Sequence, residues 1–434
     1  MPLGTLGTAD SGAIYEKIGE DNMHINIRHI RKLLVVAVMA GATPSAYADI
    51  VTDWNATAGD IVIAAKLPPG VPYRAMAAVQ SAVYEAANAI TKRYPPDRVK
   101  LDAARAASVE AAVAAANRAV LAKLAPTQEA AIDSAFQAAL AVVPDGAAKT
   151  EGITAGESAA KAVLSMCAED GADAPESYRP YTTAGAYVPT VIPDAAQWPR
   201  RKPWFLTSAD QFRPGPPPSL DSEIWGRDYN EIKVLGAKNS ASRTAEQTDI
   251  ARFWEARVPT IYFPVVRSVA NQPGRDVTRN ARLLAVAGQA MDDALIAVFD
   301  AKYTYNFWRP ITAIRNGDLD GNPGTERDAS WVSFIDTPMH PEYPCAHCII
   351  AATLGAVLKA EIGDGTTPKL SSSSPTAPGA ARSWSQVGDL VEEVANARIY
   401  DGVHYRNSTE VGMAMGEFVA AKYLVAKASA EASK

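Results

Sequence analysis

The sequence predicts a nearly all-α protein built from two helical bundles. Three observations carry this expectation. Alanine-rich segments with apolar residues at helical spacing recur along the chain. No segment shows strand alternation of useful length. A composition of 48% hydrophobic and 21% charged residues over 434 positions supplies a large core without departing from ordinary globular usage.

Taken in order, residues 1–48 read as an export signal. Arg28, Arg31 and Lys32 precede the apolar run LLVVAVMAG, and Ala46 and Ala48 supply small residues at a cleavage position. The run falls well short of the ~20 residues a membrane span needs. The expectation is a mature chain beginning near Asp49, periplasmic or secreted, with Met23 as the true start. Removing residues 1–48 leaves the net charge at −6, which speaks against nucleic acid as a partner. His340, His347 and His404 are then the histidines that remain.

Residues 49–220 are expected to form an N-terminal bundle and a proline-rich loop. Helical period runs through segments beginning at Arg74, Ala103 and Pro126, and through ESAAKAVLSMCAE. From Gly171 to Leu220 the pattern dissolves into a stretch too rich in proline for a helix and too hydrophobic for a disordered linker, read as a long ordered loop. Residues 221–434 are expected to form a second bundle, with helices in RTAEQTDIARFWEARV, RNARLLAVAGQAMDDALIAVFDAKY, CIIAATLGAVLKAEIG, WSQVGDLVEEVANARIYDG and EVGMAMGEFVAAKYLVAKA. SSSSPTAPGAA before Arg382 reads as a solvated loop.

Three separated segments of the second half form one chemical kit. They are Lys302 with Arg309-Pro310, the turn PCAH ending at His347, and Arg398 with His404. Two guanidiniums and an ammonium can neutralise the oxygens of a tetrahedral or trigonal-bipyramidal oxyanion. A proline-led turn opening a helix aims backbone N–H groups at it. One histidine can bond the central atom while another moves protons.

The spacing Lys-x6-Arg-Pro, then Pro-small-small-His, then Arg-x5-His resembles the signature of the vanadium-dependent haloperoxidases and the type 2 phosphatidic acid phosphatases. AVYEAANAI and FLTSADQFRPGPPP resemble the bacterial and plant haloperoxidase-like branch. The resemblance implies two four-helix bundles, a vanadate cofactor, and hydrogen peroxide, halide and small organic acceptors as reaction partners, with hypohalous acid formed. It leaves room for a homo-oligomer. Carried over, Lys302, Arg309 and Arg398 would hold the equatorial oxygens, with Cys345 and the Ala346 backbone N–H adding contacts. Lys302 would also polarise peroxide, and His347 would be the acid-base residue. His404 would be the axial vanadium ligand or, in the alternative reading, the nucleophile of an acid phosphatase that binds phosphate in the same pocket and forms a phosphohistidine. His340 stands where the red-algal bromoperoxidases carry a histidine, which leans toward bromide.

The chain departs from that pattern in ways that matter. Cys345 and Ala346 replace serine and glycine, Ala397 replaces the serine before the last arginine, and Ser408 stands where an aspartate would orient His404. Asp401 and the pair Asp292-Asp293 are the candidates to supply that carboxylate. The pair Cys345 and Cys348 admits three readings: small residues at a helix start, a disulfide, or a zinc site with His347 and His340. Cys167 reads as a buried apolar residue.

Overall fold

The computed structural model describes residues 49–96 and 99–432, with side chains to residue 425. The expected signal, residues 1–48, lies outside the described residues. Among these the chain is all-α apart from one two-stranded hairpin. None of the described helices is long and apolar enough to cross a membrane.

Five helices precede the long loop: α1 (Ile50–Ala64), α2 (Val71–Thr91), α3 (Val109–Leu124), α4 (Glu129–Ala141) and α5 (Ala147–Ala168). Eight follow: α6 (Glu223–Leu235), α7 (Ala245–Trp254), α8 (Phe263–Ala270), α9 (Val277–Tyr305), α10 (Pro310–Arg315), α11 (Ala346–Ile362), α12 (Val387–Tyr400) and α13 (Arg406–Ala432). Helix α1 opens on a capping box in which the Asp49 carboxylate accepts from the Thr52 backbone and the Thr52 hydroxyl accepts from the Asp49 backbone, each at 3.0 Å. Helix α3 starts at Val109 rather than near Ala103, because the Ser108 hydroxyl accepts from the Ala111 N–H at 3.1 Å and sets the first turn there.

Small residues let helices approach closely. A Cβ on Gly156 of α5 would lie 2.2 Å from the Ala112 carbonyl of α3, and one on Gly416 of α13 would lie 2.5 Å from the Ile349 carbonyl of α11. Helix α9, buried over most of its length, packs against both α2 and α11, so the main core runs without a break from one half to the other.

The segment between α5 and α6 is ordered, as expected, and α9 is what holds it. Arg201 makes a two-pronged contact with Asp292 at 2.8 and 2.9 Å. Asp293 accepts from the backbone N–H groups of Trp204, Phe205 and Leu206 at 2.6, 2.8 and 3.1 Å. Arg213 grips Asp300 at 2.7 and 2.9 Å. A loop that crosses buried ground keeps its polar backbone satisfied in this way.

One expectation about the loops is corrected. The serine-rich stretch is not a solvated loop: β1 (Leu370–Ser374) pairs antiparallel with β2 (Ala377–Trp384). Leu370, Ser372 and Ser374 alternate inward, and the Ser372 hydroxyl donates to the Ile261 carbonyl at 2.5 Å. Hydroxyls satisfied in this way can face inward, so the strand carries no hydrophobic alternation to read.

Candidate functional site

Lys302 lies in the last turn of α9, which ends at Tyr305 because Asn306 adopts a left-handed conformation with φ 48°. Arg309 then precedes Pro310 as the N-cap of α10. The two are therefore not on one helix. The second segment ends in the cis Tyr343–Pro344 peptide, with Cys345 as the N-cap of α11 and His347 in its first turn. The third leaves α12 after Arg398 and turns at Gly402 with φ 78°, a conformation that favours glycine. A Cβ there would also lie 2.3 Å from the Gly236 carbonyl.

One aromatic cluster anchors all three segments. Trp225 of α6 contacts Phe307 at 5.6 Å, Trp308 at 5.8 Å and Tyr405 at 4.9 Å between ring centroids, and Tyr343 joins the same cluster. Phe307 and Trp308 lie between Lys302 and Arg309, Tyr343 follows Glu342, and Tyr405 follows His404. Aromatic packing of this kind, edge-to-face on Phe307 and Tyr405 and stacked on Trp308, fixes backbone positions as well as burying area.

The site surrounds a cavity of about 50 Å³ whose walls include His340, Ala346, His347, Arg398 and His404. Lys302, Arg309 and Arg398 are all buried. The Lys302 ammonium donates to the carbonyls of Pro341 and Glu342 at 3.0 and 2.6 Å. Arg309 donates to the carbonyls of His340 and Val403, each at 2.8 Å. Arg398 donates to Trp254 O at 2.9 Å and to Asp401 at 2.6 Å, while its Nε has no partner among the described residues. Burial first, and then the neighbouring guanidiniums, push Lys302 well below the usual lysine range. Burial likewise pulls Arg309 down to about 10. Buried cations that destabilise one another, with a donor left over, are relieved by an anion.

The carboxylate that orients His404 is neither Asp401, which pairs with Arg398, nor Asp292 or Asp293, which clamp the long loop. It is Glu342, whose Oε1 lies 2.8 Å from His404 Nδ1. The Ser408 hydroxyl stands 3.5 Å from the same nitrogen. Burial raises the Glu342 carboxyl to about 7 and holds His404 well below the usual histidine range. In the neutral ring Nδ1–H donates to Glu342, leaving the Nε2 lone pair toward Arg309, 3.4 Å away. Glu342 stands in the run HPEYPC, and its place beside two site histidines was the available signal.

The other histidines are fixed by what they face. His347 Nε2 is 3.1 Å from the Ala256 carbonyl, which can only accept, so Nδ1 carries the lone pair in the neutral ring. His340 Nδ1 lies 2.9 Å from Arg309 Nη2 and 3.1 Å from the Pro341 carbonyl, and its ring sits edge-on to Phe299 at 5.2 Å. Burial holds both rings well below the usual histidine range.

Cys345 is the candidate whose side chain departs from expectation. Its sulfur is bonded to Cys348, accepts from the Cys348 N–H at 3.2 Å, and packs with Ala395 and Met413. A disulfide sulfur has no S–H to offer an oxyanion. Ala346 does line the cavity, and at a helix start its N–H has no intrahelical acceptor. Sequence reasoning also missed Tyr73, Asp194 and Arg257, which line the cavity from other parts of the chain. Cys167 is buried, as expected, and burial raises its thiol to about 11.

The structure is that of a helical protein with buried cations and histidines beside a small cavity. Residues 282–430 match the family model for the VCPO second helical-bundle domain. The vanadium chloroperoxidase of Curvularia inaequalis is 26% identical over 185 residues, 36% of this chain and 30% of that protein, so the match spans under a third of the relative's length. Three solved structures share the fold. They are the first bacterial vanadium-dependent iodoperoxidase (TM-score 0.74, 22% identity, 86% of this chain and 95% of that one) and the apo and holo forms of a bacterial vanadium-dependent chloroperoxidase. The latter two have TM-scores of 0.66 and 0.65 at 17% and 18% identity, each covering 82% of this chain and 93% and 92% of theirs. Residues 282–430 thus resemble the second helical bundle of the vanadium chloroperoxidases, and the fold is shared with bacterial vanadium-dependent haloperoxidases.

Proposed function

We propose that the chain is a vanadate-dependent haloperoxidase that oxidises halide with hydrogen peroxide to hypohalous acid, acting outside the cytoplasm after loss of residues 1–48. The observation that carries this reading is the buried site itself. Arg398 and His404 line a cavity of about 50 Å³, with Arg309 3.4 Å from His404 Nε2, Lys302 buried nearby, and Glu342 on the other nitrogen of the histidine. The cavity suits a small oxyanion and falls well short of the ~300 Å³ or more of a drug-sized ligand pocket.

The donor set fits vanadate. Arg309, Arg398 and Lys302 would neutralise its oxygens, the Ala346 N–H would add a contact, and His404 Nε2 would bond the central atom. When bound, vanadate supplies a Lewis-acidic centre for peroxide chemistry. The protein's part is electrostatic and protic. Lys302 polarises peroxide, and His347, with Nε2–H held by Ala256, accepts or returns a proton at Nδ1.

A phosphatase reading draws support from one observation. Glu342 restores the carboxylate whose loss at Ser408 would disfavour a nucleophilic His404. The test is to load purified protein with orthovanadate and assay peroxide-dependent bromination and iodination, beside hydrolysis of a generic phosphomonoester by vanadate-free protein. Halide oxidation that depends on vanadate supports the reading. Phosphomonoester turnover without halide oxidation replaces it.

A further inference from the structure

We infer that Arg257 is the residue through which the site takes up small anions, setting affinity for halide and oxyanion; this rests on the anion-site reading above. An exposed arginine is ordinarily a solvated surface charge, and three observations set this one apart.

Arg257 lines the same cavity as His347, Arg398 and His404, yet it is exposed where they are buried. It therefore stands at the mouth. Its charge reaches inward: it acts on Arg309, His340, His347 and Arg398 in the same electrostatic direction as the buried cations. A cleft lined by one sign of charge and walled by apolar groups, here Tyr73 and Phe299, focuses that field and concentrates counter-ions.

Second, no carboxylate comes within ion-pair distance of Arg257 among the described residues, whereas Arg398 is tied to Asp401. Asp194 lines the same cavity half-buried and senses Arg257 without forming a salt bridge. An arginine at the mouth without a carboxylate keeps its N–H donors for a ligand.

Third, the backbone that carries Arg257 is fixed to the site. Trp254 O accepts from Arg398 at 2.9 Å, and Ala256 O accepts from His347 at 3.1 Å. The segment from the last residue of α7 to the 3-10 turn at Pro259–Ile261 thus holds two site side chains with its carbonyls and carries the exposed Arg257. Asp194 across the mouth carries the opposite charge, so the two residues should act in opposite senses on an entering anion.

The experiment uses inorganic phosphate as the probe, titrated calorimetrically into purified vanadate-free protein at low and high salt, for wild type, Arg257→Gln, Arg257→Lys and Asp194→Asn. Arg257→Gln should weaken binding about two- to fivefold, the size expected for one exposed charge, and flatten the salt dependence. Arg257→Lys should keep most of the affinity, and Asp194→Asn should tighten binding. With vanadate loaded, the loss in Arg257→Gln should fall on KM for halide far more than on kcat. Phosphate binding by Arg257→Gln equal to wild type in strength and salt dependence would overturn the inference, as would equal losses in Arg257→Gln and Asp194→Asn, which would indicate a structural role. If wild type binds neither phosphate nor orthovanadate, the anion-site reading fails, and this inference with it.

Discussion

Glu342 Oε1 lies 2.8 Å from His404 Nδ1 and 3.1 Å from the Tyr405 backbone nitrogen, so one buried carboxylate fixes both the ring and the chain that follows it. The two residues are far apart in sequence and meet because Tyr343 and Tyr405, their immediate neighbours, share one aromatic cluster. Removing the partner of a ligating histidine typically costs about 10–100-fold in affinity. Glu342→Ala is expected to weaken vanadate binding by that order, and Glu342→Gln by less, because an amide oxygen still accepts from Nδ1–H. Vanadate titration checks both, and wild-type affinity in Glu342→Ala would remove Glu342 from the site.

The same carboxyl makes stability depend on pH. Its folded-state value, raised by burial to about 7, exceeds the ordinary 4.5. The folded protein therefore holds this proton more tightly than the unfolded chain does, and the contribution to stability is full below 4.5 and lost as pH rises toward 7. Glu342→Gln has no such proton. The melting temperature of the vanadate-free variant should accordingly gain on wild type between pH 4.5 and 7, and a gap that stays constant or narrows contradicts the assignment.

His404 carries the clearest expectation for cofactor binding. His340 is engaged with Arg309 and His347 with Ala256, so neither can replace His404 Nε2. His404→Ala should abolish vanadate binding and peroxidase turnover together, while circular dichroism stays that of a helical protein. Vanadate binding at wild-type strength would show that another group bonds the central atom.

The helices and the cation set were legible because both leave local marks: helical apolar spacing in one case, short fixed spacings in the other. What was not legible depended on partners distant in the chain. Glu342 could not be chosen over Asp401, Asp292 and Asp293 without knowing that Arg398 engages the first and the loop at Arg201–Leu206 engages the other two. Arg257 carries no motif at all. The hairpin at Leu370–Trp384 was hidden because its inward side chains include serines satisfied by hydrogen bonds rather than by apolar contact.

The cysteines give a count that can be checked directly. With Cys345 bonded to Cys348, Cys167 is the remaining free thiol. Thiol titration of the oxidised, denatured protein should find a single reactive group per chain, rising to the full complement of Cys167, Cys345 and Cys348 after reduction. Finding all of them before reduction would return Cys345 to the set of hydrogen-bond donors at the turn.

The close approach of α13 to the start of α11 links helix packing to the site. A Cβ on Gly412 would lie 2.7 Å from the Cys345 carbonyl and 3.0 Å from Cys348 Cβ, where the helix carrying His347 begins. Gly156→Ala would meet a still tighter contact, 2.2 Å from the Ala112 carbonyl, but between α3 and α5. Overpacking of this kind typically costs about 1–3 kcal/mol, so both variants should melt earlier than wild type. They should differ in function. Gly412→Ala must shift backbone at the turn that offers the Ala346 N–H, and is expected to weaken phosphate or vanadate binding severalfold. Gly156→Ala should bind either anion as wild type does. Melting curves and anion titrations on the two variants provide the comparison, and equal loss of affinity in both would mean that the site responds to general destabilisation rather than to the seating of α11.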